Sequence, residues 1–223
     1  MSRALLAILA TSFLIPMPAC STATATAGGA LPNPVIDAPL ASTKGEQTAV
    51  IAGGCFWGVQ AVFEHVKGVI SVSAGYSGGA ADTAHYEMVS KGNTGQAESV
   101  RIKYDPSRIS YGQLLKVYFA VAHDPTELNR QGPDTGSQYR STVFYGNAEQ
   151  KSIANAYIAQ LNKAGVFPRP IVTQVVALKA FYEAEAYHQD YAEQHPDEPY
   201  IAINDLPKVA ALRKQLAELY VQH

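Results

Sequence analysis

From residue 48 onward, apolar and polar positions alternate between two periods, and the switches mark successive elements. Residues 48–52 form a short β-branched and apolar run stopped by Gly53-Gly54, which predicts a buried strand. From Cys55, Trp57, Ala61, Val62 and His65 fall at helical spacing. Residues 69–74 read as a second strand, and 98–104 alternate as a third that ends at Asp105-Pro106. Between them, 75–95 is rich in Gly, Ser and Thr, the composition of a functional loop. Ser110 is placed to cap a helix containing Leu114, Leu115, Tyr118 and Phe119. A second loop over 124–136 leads to a strand at 139–145. Asn147, with Gln150 three residues on, opens a helix that ends near Gly165. Residues 171–178 predict an apolar strand, 183–193 a helix, and 207–220 an amphipathic helix with Pro207 in its first turn. Strands alternating with helices imply an α/β or α+β domain with helices packed on a sheet, in a strand order that the pattern leaves open.

The beginning of the chain follows another logic. Arg3, the apolar run 5–15 and the small residues after it form the basic, apolar and small regions of a secretory signal. Residues 1–20 are therefore expected to be a signal peptide, and the protein to be exported. Met17-Pro18-Ala19-Cys20 is similar to a bacterial lipoprotein box, with Met where a good box has Leu. Cleavage there would leave Cys20 acylated, as a membrane tether. Cleavage after a small residue in 21–27 would leave a free periplasmic protein. The two stand level. Residues 21–45, rich in Ala, Thr, Pro and Gly, are expected to be a flexible linker, and 46–223 the catalytic domain.

Composition narrows the function classes. The chain has 223 residues, is 47% hydrophobic and 16% charged, and carries a formal net charge of −2, which is globular and gives nucleic acid no basic footprint. Two cysteines, Cys20 and Cys55, exclude a disulfide framework. No Cys-x-x-Cys pair exists, and His123, His188 and His195 share no ligand spacing, so no metal is expected.

Cys55 is the chemical focus. It follows a strand and two glycines and opens a helix, where backbone N–H groups and the helix dipole favour an anion. Such a position is expected to lower the thiol pKa. By position alone, a buried inert cysteine is an equal alternative. Phe56 and Trp57 beside it can form an apolar slot for a methyl group, or simply pack in the core.

Four ordered blocks then carry a resemblance. Gly54-Cys55-Phe56-Trp57-Gly58 is similar to the active-site motif of the A-type peptide methionine sulfoxide reductases, the MsrA family. Gly75-Tyr76-Ser77-Gly78-Gly79, then Tyr86 and Gly95-Gln96-Ala97-Glu98, resemble the next blocks. His123-Asp124-Pro125, Arg130-Gln131-Gly132 and Asp134-Thr135-Gly136-Ser137-Gln138-Tyr139-Arg140-Ser141 resemble the third. Phe181-Tyr182, Tyr187-His188-Gln189-Asp190-Tyr191 and Pro199-Tyr200 resemble the C-terminal part. The resemblance implies a two-layer α/β (α+β) sandwich with a mixed sheet and flanking helices, the ferredoxin-like fold of that family. It implies Cys55 as nucleophile, Glu98 as the acid that protonates the sulfoxide oxygen, Tyr86 and Tyr139 as donors to that oxygen, and Asp134 as support. Phe56 and Trp57 would hold the substrate methyl. The implied reaction is reduction of methionine S-sulfoxide, free or in oxidised proteins and peptides, through a Cys55 sulfenic acid, as protein repair in the cell envelope.

The chain departs from many relatives in one respect: residues 200–223 contain no cysteine to resolve the sulfenic acid as a disulfide. A one-cysteine cycle without a bound cofactor is therefore expected, with an external reductant, either a thioredoxin-like protein or a small thiol. A monomer is expected. The competing readings are another cysteine-dependent enzyme, such as an acyl-transferring hydrolase, and a non-catalytic surface lipoprotein. Neither accounts for an acid and an aromatic slot arranged around one cysteine.

Overall fold

A computed structural model describes residues 31–222. The leader, Cys20 and the first part of the expected linker lie outside the described residues. Six strands form one sheet: β1 (Gln47–Ala52), β2 (Val69–Ser77), β3 (Ala97–Tyr104), β4 (Thr142–Tyr145), β5 (Gln174–Ala177) and β6 (Tyr182–Glu183), in the order β5-β4-β1-β3-β2-β6. The inner four run β4-β1-β3-β2, all antiparallel, which is the strand order of a ferredoxin-like sheet; β5 pairs parallel with β4 and makes the sheet mixed. The strand-and-helix alternation of the sequence is thus realised as an α/β layer pair.

The helices are α1 (Phe56–Glu64), α2 (Tyr111–Val117), α3 (Ala148–Ala164) and α4 (Leu206–Gln215). They cover one face of the sheet. Phe56, Val59, Val62 and Phe63 of α1 repeat every three to four residues and meet Ile51, Val72, Val100 and Ile102 of the strands in one core, together with Leu114, Leu115, Tyr157, Leu161 and Leu212. The opposite face has a smaller apolar cluster of Val50, Ala52, Ala97 and Phe144, flanked by Phe181 and Leu178.

Local signals account for the helix starts. Ser110 makes a full capping box with Gln113 at the head of α2. Asn147 accepts from the Gln150 backbone at 2.8 Å to start α3, and Gly165, at φ +61°, closes it. The Gln150 side chain reaches back to Gly146 and across to the carbonyl of Thr48, tying α3 to β1.

Several expectations are corrected. Residues 31–45 are a docked strap rather than a free linker. Tyr157 and Gln160 of α3 donate to the carbonyls of Pro32 and Asn33, Lys116 donates to Asn33, and Asp37 accepts from Ser110 at 2.5 Å and from the Gly112 backbone at 2.8 Å. β2 runs on to Ser77, so the Gly-rich loop starts three residues later than its composition suggested. The strand at 139–145 begins only at Thr142, because Arg140 gathers the carbonyls of Gly95, Gln96 and Ser137 and holds Ser137–Tyr139 in a tight helical turn. The apolar run at 171–178 is strand only over Gln174–Ala177, at the sheet edge.

The helix expected at 183–193 does not form. Its residues are used across the fold instead: Gln189 bonds both backbone groups of Ala74, and Asp190 sits at φ +55° with its backbone N–H on Gln60. What remains is a two-residue strand, a turn at Ala186–His188 and one helical turn at Tyr191–Gln194. The last helix spans Leu206–Gln215, shorter than the pattern suggested.

Candidate active site

The site is assembled where β1 hands over to α1. Gly54 makes the turn at φ +89°, with the Gln131 side chain so close that an added Cβ would collide with it. Cys55 is the N-cap residue of α1 without a side-chain capping hydrogen bond, and the nearby Trp57 backbone N–H favours its thiolate. That much matches the anion-friendly helix start read from the sequence.

The thiol itself does not. Cys55 is only 8% exposed. Burial, followed by the nearby charges of Glu98 and Asp205, pushes its pKa well above the ordinary thiol value, and the Trp57 N–H and Lys208 offset this only in part. The expectation of a lowered pKa in the resting site is therefore corrected. The local dipole is present, but desolvation outweighs it.

Glu98 lies on β3, 3% exposed, and its Oε2 accepts from the Phe56 backbone N–H at 3.1 Å. Burial, with Asp134 and Asp205 adding like charge, raises its pKa to about 8, although the Phe56 N–H pulls the other way. At neutral pH it is mostly a neutral acid, able to give up a proton.

The tyrosines complete this wall. Tyr86 opens the short helical turn Tyr86–Val89, and its backbone N–H donates to Glu185 at 2.9 Å. Tyr139 ends the turn that Arg140 fixes. Burial first, and then the charge of Glu98, raises both phenol pKa values, so both stay neutral donors; each also feels the charge of Cys55. Asp134, in a small hairpin, accepts from the Tyr200 hydroxyl at 2.5 Å.

Phe56 and Trp57 form a graded apolar wall. Phe56 is fully buried, its ring 5.0 Å from His188 and 5.8 Å from Tyr76. Trp57 is half-buried and held on three sides. Its indole N–H donates to His188 Nδ1 at 3.2 Å, Tyr191 stacks on it at 3.9 Å and 13°, and Tyr200 meets it edge-on at 6.1 Å. Because His188 accepts at Nδ1, its proton resides on Nε2, which has no hydrogen-bond partner and lies 3.9 Å from Glu185. All seven residues singled out from the sequence thus gather around α1's first turn. His188, Tyr191 and Tyr200 have no assigned role in the sequence pattern; the crowding of aromatics at 181–200 is the signal that points to them.

A cavity of about 230 Å³ also borders Cys55; its walls include Cys55, Gln131, Asp134, Tyr200, Asn204 and Lys208. Glu98, Phe56, Trp57, Tyr86 and Tyr139 are not among them. Asp205, wholly buried, bonds Lys208 at 3.1 Å. Neither of these two residues was singled out from the sequence. Among the described residues, no group of three or more His, Cys, Asp or Glu is placed to hold a metal ion.

This arrangement offers a sulfur nucleophile, a neutral carboxylic acid, two phenol donors and an aromatic slot. Comparison with known proteins shows the family. A family model described as peptide methionine sulfoxide reductase matches residues 47–220. The peptide methionine sulfoxide reductase MsrA 2 of Mesorhizobium japonicum is 60% identical over 179 residues, covering 80% of this chain and 92% of its own. MsrA 2 of Synechocystis is 50% identical over 190 residues, covering 84% and 89%. Among solved structures, reduced Mxr1 of Saccharomyces cerevisiae superposes with a TM-score of 0.61 at 30% identity, covering 70% of this chain and 92% of its own. Methionine sulfoxide reductase A of Corynebacterium diphtheriae gives 0.59 at 34%, covering 75% and 85%.

Proposed function

The chain belongs to the peptide methionine sulfoxide reductase family, a family of oxidoreductases, and we propose that it reduces methionine S-sulfoxide to methionine by oxygen transfer to Cys55. The observation that carries the assignment is the joint burial of Cys55 and Glu98 at one helix start, with the acid's pKa raised to about 8.

The chemistry follows from that pairing. A sulfoxide sulfur is electrophilic, but its oxygen leaves poorly unless protonated. The substrate methyl rests in the slot beside Trp57, and the S–O bond points toward Glu98, Tyr86 and Tyr139. Glu98 gives its proton to the oxygen while the two phenols hydrogen-bond it. Cys55 attacks the sulfur. In the empty site the thiol is protonated; as it attacks the positive sulfur of the bound sulfoxide, its proton passes to the carboxylate that Glu98 has become, so no uncompensated charge is left in the buried site. The protonated oxygen then passes as hydroxyl from the substrate sulfur to Cys55 Sγ while the transient S–S bond breaks, which leaves methionine and a Cys55 sulfenic acid. The substrate sulfur is reduced by two electrons and the cysteine sulfur is oxidised by two.

The sulfenic acid is then reduced by external thiols, and the substrate includes free methionine sulfoxide, peptides and oxidised proteins. For location, the leader sequence supports an exported enzyme, working in the periplasm or tethered through an acylated Cys20. The direct test incubates the protein with methionine S-sulfoxide and dithiothreitol. Methionine should form, and Cys55→Ser should form none. Retained activity in that variant would move the chemistry elsewhere.

A further inference from the structure

The cycle has two halves, and Glu98, Tyr86, Tyr139 and the wall of Phe56 and Trp57 serve only the first. In the second, a thiolate must reach the sulfur of a residue that is 8% exposed, a sulfur that already carries an oxygen. The cavity of about 230 Å³ touches Cys55 without touching Glu98, Trp57, Tyr86 or Tyr139. A sulfoxide arriving through it would find no neutral acid and no methyl slot. It would find Asp134 with its Tyr200 partner, the amides of Asn204 and Gln131, and the ammonium of Lys208.

We propose that this cavity is the binding site of the reducing thiol, with Lys208 drawing its thiolate onto Cys55; this rests on the sulfenic acid proposed above. Lys208 is fixed for that task. Its Nζ donates to Asp205 Oδ1 at 3.1 Å, and Asp205 is wholly buried beside Gly58, where any side chain would collide with the carboxylate. One of the ammonium's three donors is used in that bond, which leaves two for an incoming anion. The two carboxylates of the lining, Asp134 and Asp124, accept from the hydroxyls of Tyr200 and Thr126. His123 is held neutral, its pKa lowered to about 3 by burial, with Nε2 on Ser141. Lys208 is thus the cationic side chain of this lining. At about 230 Å³ the cavity has room for a thiol of a few carbons and not for a folded domain.

The step balances. The reductant's thiolate attacks Cys55 Sγ, an S–S bond forms and the S–O bond breaks. The oxygen leaves as hydroxide and takes up the proton that the thiol released on ionising, giving water. The incoming sulfur is oxidised and Cys55 is reduced to the level of a mixed disulfide. A second thiol attacks the outer sulfur of that disulfide and frees Cys55.

The test separates the two halves. The purified full chain is first given methionine sulfoxide without reductant, and the methionine formed per chain is counted. 2-Mercaptoethanol is then added, and the loss of sulfenic acid is timed. Wild type and Lys208→Gln should both form one equivalent of methionine. The rate constant with 2-mercaptoethanol should fall about tenfold in Lys208→Gln, a barrier change of about 1.4 kcal/mol. Lys208→Arg should restore most of it. Asn204→Trp, which fills the cavity, should slow the same step and leave the methionine count unchanged. An unchanged thiol rate constant in both Lys208→Gln and Asn204→Trp would overturn the assignment of the cavity alone. Absence of methionine from wild type would overturn the sulfenic acid reading, and this inference with it.

Discussion

The backbone N–H of Phe56 donates to Glu98 Oε2 at 3.1 Å, so the acid is anchored to the residue directly after the nucleophile. Any shift of the α1 start therefore moves both groups together. The same bond orients the carboxyl without ionising it, because burial overrides its pull on the pKa.

The first prediction concerns that carboxyl. Its pKa is raised from 4.5 to about 8, so the donating form is present at neutral pH and is lost as the pH rises through about 8. Single-turnover methionine formation should lose its acid-dependent part over that range. Glu98→Gln should be slower by at least about a hundredfold at neutral pH, the usual worth of a general acid. Rates measured from pH 6 to 9 check this, and a variant matching wild type throughout would remove Glu98 from the mechanism.

The same shift has a consequence for stability. A carboxyl whose pKa is raised on folding stabilises fully below its unfolded value of about 4.5, and that contribution is lost as the pH climbs toward 8. Glu98→Gln removes the liability. Its melting temperature relative to wild type should therefore rise between pH 5 and pH 8, as followed by circular dichroism.

The methyl slot depends on groups behind Trp57. His188→Ala leaves the indole N–H without its 3.2 Å partner and opens space next to Phe56. An unpartnered buried donor costs about 1–3 kcal/mol, so the ring should lose its fixed orientation. The KM for methionine sulfoxide should rise about tenfold, with a smaller change in kcat. Steady-state kinetics checks the split, and an unaltered KM would mean that the ring needs no such anchor.

The strap at 31–45 gives a prediction far from the chemistry. Asp37 accepts from Ser110 and from the backbone of Gly112 at the head of α2. Asp37→Ala should cost about 1–2 kcal/mol in a urea titration, the range of a lost helix-end bond, without changing activity.

Legibility in the sequence followed the range of the interaction. β1 and β3, and the starts of α2 and α3, were readable because apolar runs and the caps Ser110 and Asn147 are local signals. The stretch 183–193 looked helical for the same local reasons, and the fold overrode them by spending Gln189 on Ala74 and Asp190 on Gln60. Cys55 shows the same split. Its place at a helix start was legible, but its burial and the charges of the sequence-distant Glu98 and Asp205, which raise its pKa, come only with the fold. Lys208 and Asp205 carried no motif; only the fold brings them to the sulfur. The strap was misread because Ala, Pro and Thr signal flexibility only when nothing binds them, and here α2 and α3 do.

The central claim is that Cys55 takes the substrate's oxygen. Mass spectrometry of the protein after one turnover without reductant, with the sulfenic acid trapped, tests it most directly. One equivalent of methionine with one trapped oxygen adduct on Cys55 is the predicted result. Methionine formed with Cys55 unmodified, or a Cys20–Cys55 disulfide in place of the adduct, would contradict it.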